Sequence, residues 1–480
     1  MWRSLRPRTT IVSLAASYEL LNWQKALRKM KKAMPTNESP AFETGGPPNP
    51  VERVQSMLSC SLQCDDTARS LNQQCFCVTL DRDVLRRELF KDSALSGMGH
   101  DLLEERPHLF SNVPVFVDRP VVSEMMQIVE AIERVSKLPQ YLTTALAWAG
   151  DIAKLDLGPV GAFMGYDFHL GEVGPQLIEV NTNAGGAFLN AVLARAQRKC
   201  CAGAFDDRSA SVRDDFNEQV CAMFQEEWLR QRGRGLPRSI AIVDDAPQEQ
   251  YLYPEFLLAK KLLIDKGVNV LIGDARNFTY RAGKLFLSDQ EIDLVYNRLV
   301  DFSLSLPEHA ALCSAYQAGT VVVTPNPRNH AVLANKRNLT VLSNADLLRA
   351  WGVDEATVQQ LAKIPHTVMV ADENAEELWS NRKEYFFKPL SGHGSKAVYR
   401  GDKLTKRVWA DILAGNYVAQ SYAPPAERTI ALDGEATVRK MDIRLYTYNA
   451  KLLLAAARIY QGQTTNFRTE GGGFAPILIF

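Results

Sequence analysis

The stretch that most restricts the fold is residues 165–186, GYDFHLGEVGPQLIEVNTNAGG. Two short apolar-rich runs, YDFHL and QLIEV, flank LGEVGP, whose glycines and proline favour a turn, so the pair reads as a β-hairpin. In LIEVN a period of two puts Ile178 and Val180 on one face and Glu179 and Asn181 on the other, a face shared with Asp167 on the neighbouring strand. Oxygen-bearing side chains of this kind, two of them carboxylates, suit a hard cation, and Mg²⁺ fills its remaining positions with waters and substrate phosphates. The same residues also fit a solvated hairpin face with incidental charges, so the rest of the chain has to decide.

The 480-residue length allows two to four domains. Lys plus Arg equals Asp plus Glu at 55 each, so no global field recruits nucleic acid or an anionic membrane, and any anion site is local. The eight cysteines are sparse and unevenly spaced, which fits reduced thiols in a cytoplasmic protein better than a disulfide framework. The CSLQCDD and CFC clusters match no usual zinc spacing, and CFC alternates like a buried strand. No uncharged apolar run reaches the ~18 residues of a membrane span.

Residues 1–52 read as an extension and a Pro/Gly-rich linker, with Met34 an alternative start to the functional chain. From 53 to 157 the apolar spacing is helical, as in DRDVLRRELFKDSAL and SEMMQIVEAIERVSKL. Residues 158–235 hold the hairpin and the helix FLNAVLARAQRK. Between 236 and 328 strands alternate with helices (SIAIVDD, PEFLLAKKLLIDKG, VNVLIG, KLFLS, IDLVYNRL, HAALCSAYQAG, VVVTP), which implies a mostly parallel α/β sheet. Residues 329–480 have an α+β rhythm that includes EYFFKPL, NYVAQSYA and a long hairpin, MDIRLYTYNAKLLLAAARIY.

In EYFFKPLSGHGSKAVY a strand delivers Lys388 into a loop carrying Gly392, Gly394 and Ser395. Glycines let backbone N–H groups curl toward phosphate oxygens while the lysine supplies a point charge, although an ordinary hairpin turn has the same composition. Lys336 begins a helical run, where a lysine is commonly solvent-facing. Gln420, Ser421 and Tyr422 end an apolar strand before two prolines, as a hinge beside an adenine would, or as a plain strand end. The C-terminal stretch carries Asp442, Arg444, Arg458, Asn466 and Arg468 before three glycines, and its arginines suit a carboxylate or a transferring phosphoryl group.

Together these motifs resemble the ATP-grasp superfamily of carboxylate–amine ligases. The Glu-x-Asn hairpin comes last in many members and first here, followed by an α/β part, Lys336, Lys388 and the closing GGGFAP. That order is similar to the circularly permuted eukaryotic-type glutathione synthetases, and the likeness covers about 150 to 480. It implies a permuted ATP-grasp fold of α/β and α+β parts: a metal-binding part at 158–235, a lid-like α/β substrate domain at 236–328, an ATP-binding part at 329–480, and an additional N-terminal helical region. It also implies that Phe480 lies near the segment entering the hairpin around 150.

Residue by residue, the resemblance implies Asp167, Glu179 and Asn181 as Mg²⁺ ligands and Lys336 and Lys388 on the ATP phosphates. Gly392, Gly394 and Ser395 would close over the nucleotide, and Gln420, Ser421 and Tyr422 would border adenine. Arg458 and Arg468 would act in catalysis, and Arg298 and Asn466 would contact substrate. The family's loop glutamate is missing from SGHGSK, so substrate identity does not transfer. The expected activity is ATP-dependent amide or peptide bond formation through an acyl phosphate, from small-molecule or peptide carboxylate and amine substrates, with no nucleic acid or membrane partner. The alternatives are an ATP-grasp phosphotransferase and a non-catalytic nucleotide-binding scaffold.

Overall fold

The computed structural model describes residues 67–76, 79–91, 94–95, 102–200, 215–390 and 397–480. The expectations for Gly392, Gly394 and Ser395, and for residues 1–52, fall outside them. In chain order the strands are β1 Val115–Val117, β2 Met164–Gly171 and β3 Gly174–Asn181, then β4 Ser239–Asp244, β5 Asn269–Asp274, β6 Phe278–Arg281, β7 Lys284–Leu287, β8 Gln290–Glu291, β9 Leu294–Asn297 and β10 Val322–Thr324. They continue with β11 Thr367–Met369, β12 Tyr385–Pro389, β13 Tyr399–Arg400, β14 Tyr417–Ser421, β15 Ala426–Leu432, β16 Glu435–Tyr448, β17 Lys451–Tyr460, β18 Gly473–Ala475 and β19 Ile477–Ile479.

The expected hairpin is β2–β3, with Asp167 opposite Glu179 and Gly165 opposite Asn181. The register then slips so that Phe168 faces Leu177, and Ile178 is left out of the pairing as a bulge. The hairpin joins a sheet ordered β18-β17-β16-β2-β3, with β15 sharing an edge of β16 with β2. Side chains alternate along β16: Ile443 and Leu445 enter a core with Tyr166 and Phe168, whereas Tyr446 and Tyr448 enter a second core with Phe163 and Phe224. The first core is closed by the helix Arg119–Val135, whose Val122, Met125, Val129 and Ile132 recur at the helical period. The second is closed by the helices Ala187–Cys200 and Phe216–Arg232, the latter stopped by Gly233 at φ +72°.

The parallel sheet has the order β10-β9-β4-β5, as the alternation of strands and helices predicts. KLFLS does not join it. That run forms β7 of a small antiparallel sheet, β6-β7-β8, because Ser288 and Asp289 turn the chain at positive φ straight back into β8. A four-stranded sheet, β11-β14-β12-β13, carries the Lys388 strand beside the hinge strand. Among the described residues no helix is long and apolar enough to cross a membrane.

The end of the chain pairs earlier than expected: β19 lies parallel to β1, and Phe480 and Arg119 are joined through the backbone. The neighbour of Phe480 is therefore residues 115–119, upstream of the segment near 150. Arg428, fully buried on β15, donates to the carbonyls of Asn72, Cys75 and Pro114, so the first described helix is fastened to the C-terminal sheet.

Candidate active site

A cleft of about 850 Å³ runs between the hairpin sheet, the Lys388 sheet and the parallel sheet. Each polar group in it reaches its place by strand register. Arg444 on β16 lies directly opposite Asp167 on β2, and Asp442 lies opposite Arg458 on β17, so two cross-strand ion pairs sit side by side. Arg444 grips Asp167 with both arms, Nε to Oδ1 at 2.6 Å and a terminal nitrogen to Oδ2 at 2.7 Å. Arg458 bridges Asp442 at 2.6 Å and Asp167 at 2.8 Å, and Thr465 donates its hydroxyl to Asp442. Burial pushes the Asp167 carboxyl up, but the two guanidiniums outweigh it and hold the group well below the usual carboxylate range.

Glu179 stands on the same hairpin face. Its Oε1 takes Lys336 Nζ at 3.0 Å, and Lys336 and Lys388 together overcome the burial penalty and lower its pKa. Lys336 lies in the turn between the short helical segments His330–Ala334 and Asn338–Leu342, not at the start of a helix. On β12, Lys388 is a diagonal neighbour of Gln420 on β14 and donates to its Oε1 at 2.6 Å. It also donates to the carbonyl of the bulged Ile178 at 2.9 Å, so the bulge creates an acceptor for the lysine. Burial, helped by the charge on Lys336, depresses Lys388 to about 8.

The glycine pair after the hairpin has a steric cause. A Cβ on Gly186, at φ +101°, would meet the Phe474 ring at 2.3 Å, and one on Gly185 would meet Leu252 at 2.6 Å and Arg298 at 3.0 Å. Arg298 follows β9, is buried, and donates to Tyr296 Oη at 3.3 Å, while its Nε has no hydrogen-bond partner among the described residues. Asn183 holds that turn by donating to the carbonyls of Arg298 and Leu299. Near Arg298, burial raises Asp244 to about 6 and Glu255 to about 7.

A glutathione synthetase-like effector from Globodera pallida, solved in the apo form, superposes with a TM-score of 0.52 at 13% identity, over 83% of this chain and 98% of its own. The fold is glutathione synthetase-like. More distant are a putative γ-glutamylcysteine synthetase from Methylobacillus flagellatus (TM-score 0.43, 10% identity, 75% of this chain and 87% of its own) and the ATP-grasp ligase PsnB bound to a minimal precursor (0.29, 14%, 50% and 89%). No protein-family model matches the chain, and no curated protein matches it in sequence.

In this fold Asp167, Glu179, Asn181, Lys336, Lys388 and Gln420 all line the one cleft, as do Arg298, Ser421, Arg458, Asn466 and Arg468. Tyr422 does not line it; its ring lies against Phe386 and under the Arg400 guanidinium at 4.5 Å. Asn466 spends its side chain within its own loop, donating to the Gln461 carbonyl and accepting from Arg468 N and Thr469 Oγ1. Arg468 is exposed where it lines the cleft, and among the described residues it makes no ion pair. The main omission of the sequence reading is the role of Arg444, noted there only as one cation of the C-terminal stretch. The alternation D-I-R in MDIRL was the available signal, because it puts Asp442 and Arg444 on one face.

The donors present fit a hard cation unequally. Among the described residues, Glu179 uses Oε1 for Lys336 and leaves Oε2 available, and Asn181, whose Nδ2 donates to Asp167 at 3.2 Å, keeps its amide oxygen. Both oxygens of Asp167 are committed to arginines. Among the described residues no cluster of three or more His, Cys, Asp and Glu side chains stands ready for a metal, so a cation here rests on Glu179, Asn181 and oxygens brought by a ligand.

Proposed function

We propose that the chain is an ATP-dependent carboxylate–amine ligase that forms an amide through an acyl phosphate, on a permuted ATP-grasp scaffold divided at about 158, 236 and 329. The observation that carries this reading is the convergence of Lys336 and Lys388, brought from different sheets and turns, on Glu179 at a cleft that also holds Arg444 and Arg458. Four cations stand against the three carboxylates Asp167, Glu179 and Asp442, leaving an excess of positive charge that suits a polyphosphate, and the cleft has room for a nucleotide and a second substrate.

Lys388 and Lys336 neutralise phosphate charge, and Gln420 and Ser421 border the base. Glu179 and Asn181 would hold Mg²⁺, which, when bound, screens charge on the phosphate oxygens. Asp167 locks Arg444 and Arg458 at a fixed angle, so that their charge is preorganised where negative charge develops. The substrate carboxylate oxygen attacks the γ-phosphorus and the bond to the ADP oxygen breaks. The amine nitrogen then attacks the acyl carbon, phosphate leaves, and the amine loses a proton. Arg298, which lines the cleft beside the Gly185 turn, offers its guanidinium charge to the carboxylate substrate.

The test is ATP binding by calorimetry with and without Mg²⁺, on the wild type and on Glu179→Gln. Binding that needs both Mg²⁺ and Glu179 is expected, and Mg²⁺-dependent binding by the variant equal to wild type would remove the assignment. ADP release that rises with added amine separates the ligase from a phosphotransferase on the same fold.

A further inference from the structure

The cleft changes character along its length. Its nucleotide end is charged, whereas the end at Arg298, where Asp244 and Gln250 are polar lining groups, also carries Tyr251, Leu252, Phe256, Val300 and Phe467. These side chains form one subsite. Leu252 and the Arg298 guanidinium both flank Gly185, the Phe256 ring lies 5.9 Å from that guanidinium, and Tyr251 stacks on Phe467 at 5.6 Å with an interplanar angle of 27°. Val300, two residues beyond Arg298, is 39% exposed, and Tyr251 is 38% exposed. Large apolar side chains left open to water inside a cleft, rather than scattered over a surface, mark a place where hydrocarbon is bound. Phe467 is held in position by Phe474, at 4.7 Å between ring centroids, and Arg106 lies over the outer face of Tyr251 at 5.6 Å. The aromatic pair is therefore braced from both sides before any ligand arrives.

We propose that this subsite selects a carboxylate substrate with an apolar side chain of aromatic or leucine size, its acid group set by Arg298 and its hydrocarbon laid against Tyr251, Val300 and Phe467. The inference rests on the ligase reading and narrows it, since small or charged acids leave the wall wet. Deleting a few methylenes' worth of contact in a hydrophobic pocket changes kcat/KM by about 10- to 200-fold per methylene at most, so the preference should be measurable.

The experiment supplies ATP, Mg²⁺ and hydroxylamine as the amine, and compares hydroxamate formation from phenylalanine and leucine with that from glycine, aspartate and glutamate. The expected result is a kcat/KM at least about 10-fold higher for the apolar acids. Val300→Asp, a substitution at an exposed position, and Phe467→Ala should each remove most of that preference while leaving the KM for ATP unchanged. Equal or better turnover of the polar acids, or an unaltered preference in both variants, overturns the subsite. Loss of Glu179-dependent ATP binding in the wild type would instead count against the ligase reading itself.

Discussion

Asp167→Asn separates two roles that one carboxylate can play, ligand to a cation or anchor for arginines. In the structure Asp167 is 3% exposed at the side chain and its two guanidinium partners 11% each, far from the exposed pairs that contribute little. Removing one member of such a buried set leaves Arg444 and Arg458 facing each other without their shared counter-charge, a loss of about 3–5 kcal/mol. With an unfolding entropy of about 2.1 cal/mol/K per residue, a chain of this length carries roughly 1 kcal/mol/K, so the melting temperature should fall by about 3–5 °C. Glu179→Gln breaks one pair in which Glu179 is 32% exposed, and should shift the melting temperature by about 1 °C or less while it abolishes Mg²⁺-dependent ATP binding. Scanning calorimetry of both variants at neutral pH provides the comparison. A drop below about 1 °C for Asp167→Asn, or equal drops for the two, would refute the anchoring argument.

Lys388 gives ATP binding a pH limit: depressed to about 8, it goes from about nine-tenths charged at pH 7 to about one-tenth at pH 9. ATP affinity at fixed Mg²⁺ should therefore weaken by up to about 10-fold over that interval, and a Lys388→Met protein should bind more weakly at pH 7 and show no such slope; parallel curves would exclude the lysine. Glu255 is raised by burial from 4.5 to about 7, so its contribution to stability is complete below about pH 4.5 and is lost as pH rises through about 7. Glu255→Gln should lack that loss, gaining up to about 3 kcal/mol on the wild type between pH 5 and pH 8, and melting curves that stay parallel across the range would count against it.

The hairpin and the facing of its polar side chains were legible because a period of two carries its own facing, and Glu179, Asn181 and Asp167 do share a face. The strand bearing Lys388 was legible for the same reason, as was the βα alternation of the parallel sheet. What local pattern does not encode is which strand lies next to which. The capture of Asp167 by Arg444 depends on β16 pairing with β2, a contact 277 residues apart, and no periodicity in either run announces it. The partner of Phe480 was misplaced for the same reason, since β1 is only three apolar residues long and nothing in its pattern names the strand it pairs with. The Ile178 bulge also escaped, because an extra residue in a strand leaves the composition unchanged and only moves the register.

The clamps that complete this molecule join residues far apart in the order of synthesis. Arg458 is made 291 residues after the Asp167 it holds, and Arg428 is made 356 residues after the Asn72 carbonyl it closes. At about 5–20 residues per second, the hairpin waits roughly 15–60 s on the ribosome for that arginine, with an unpaired edge and its Asp167 carboxylate without a counter-charge. Helices and the parallel sheet can assemble during that interval, but the cleft cannot. Every nascent chain therefore passes through a long stage in which the hairpin's Asp167 and Glu179 lack their cationic partners, and shortening the C-terminus by the few residues of β18 and β19 would leave the helix at Arg119 and the Gly186 turn without the strands that seat them.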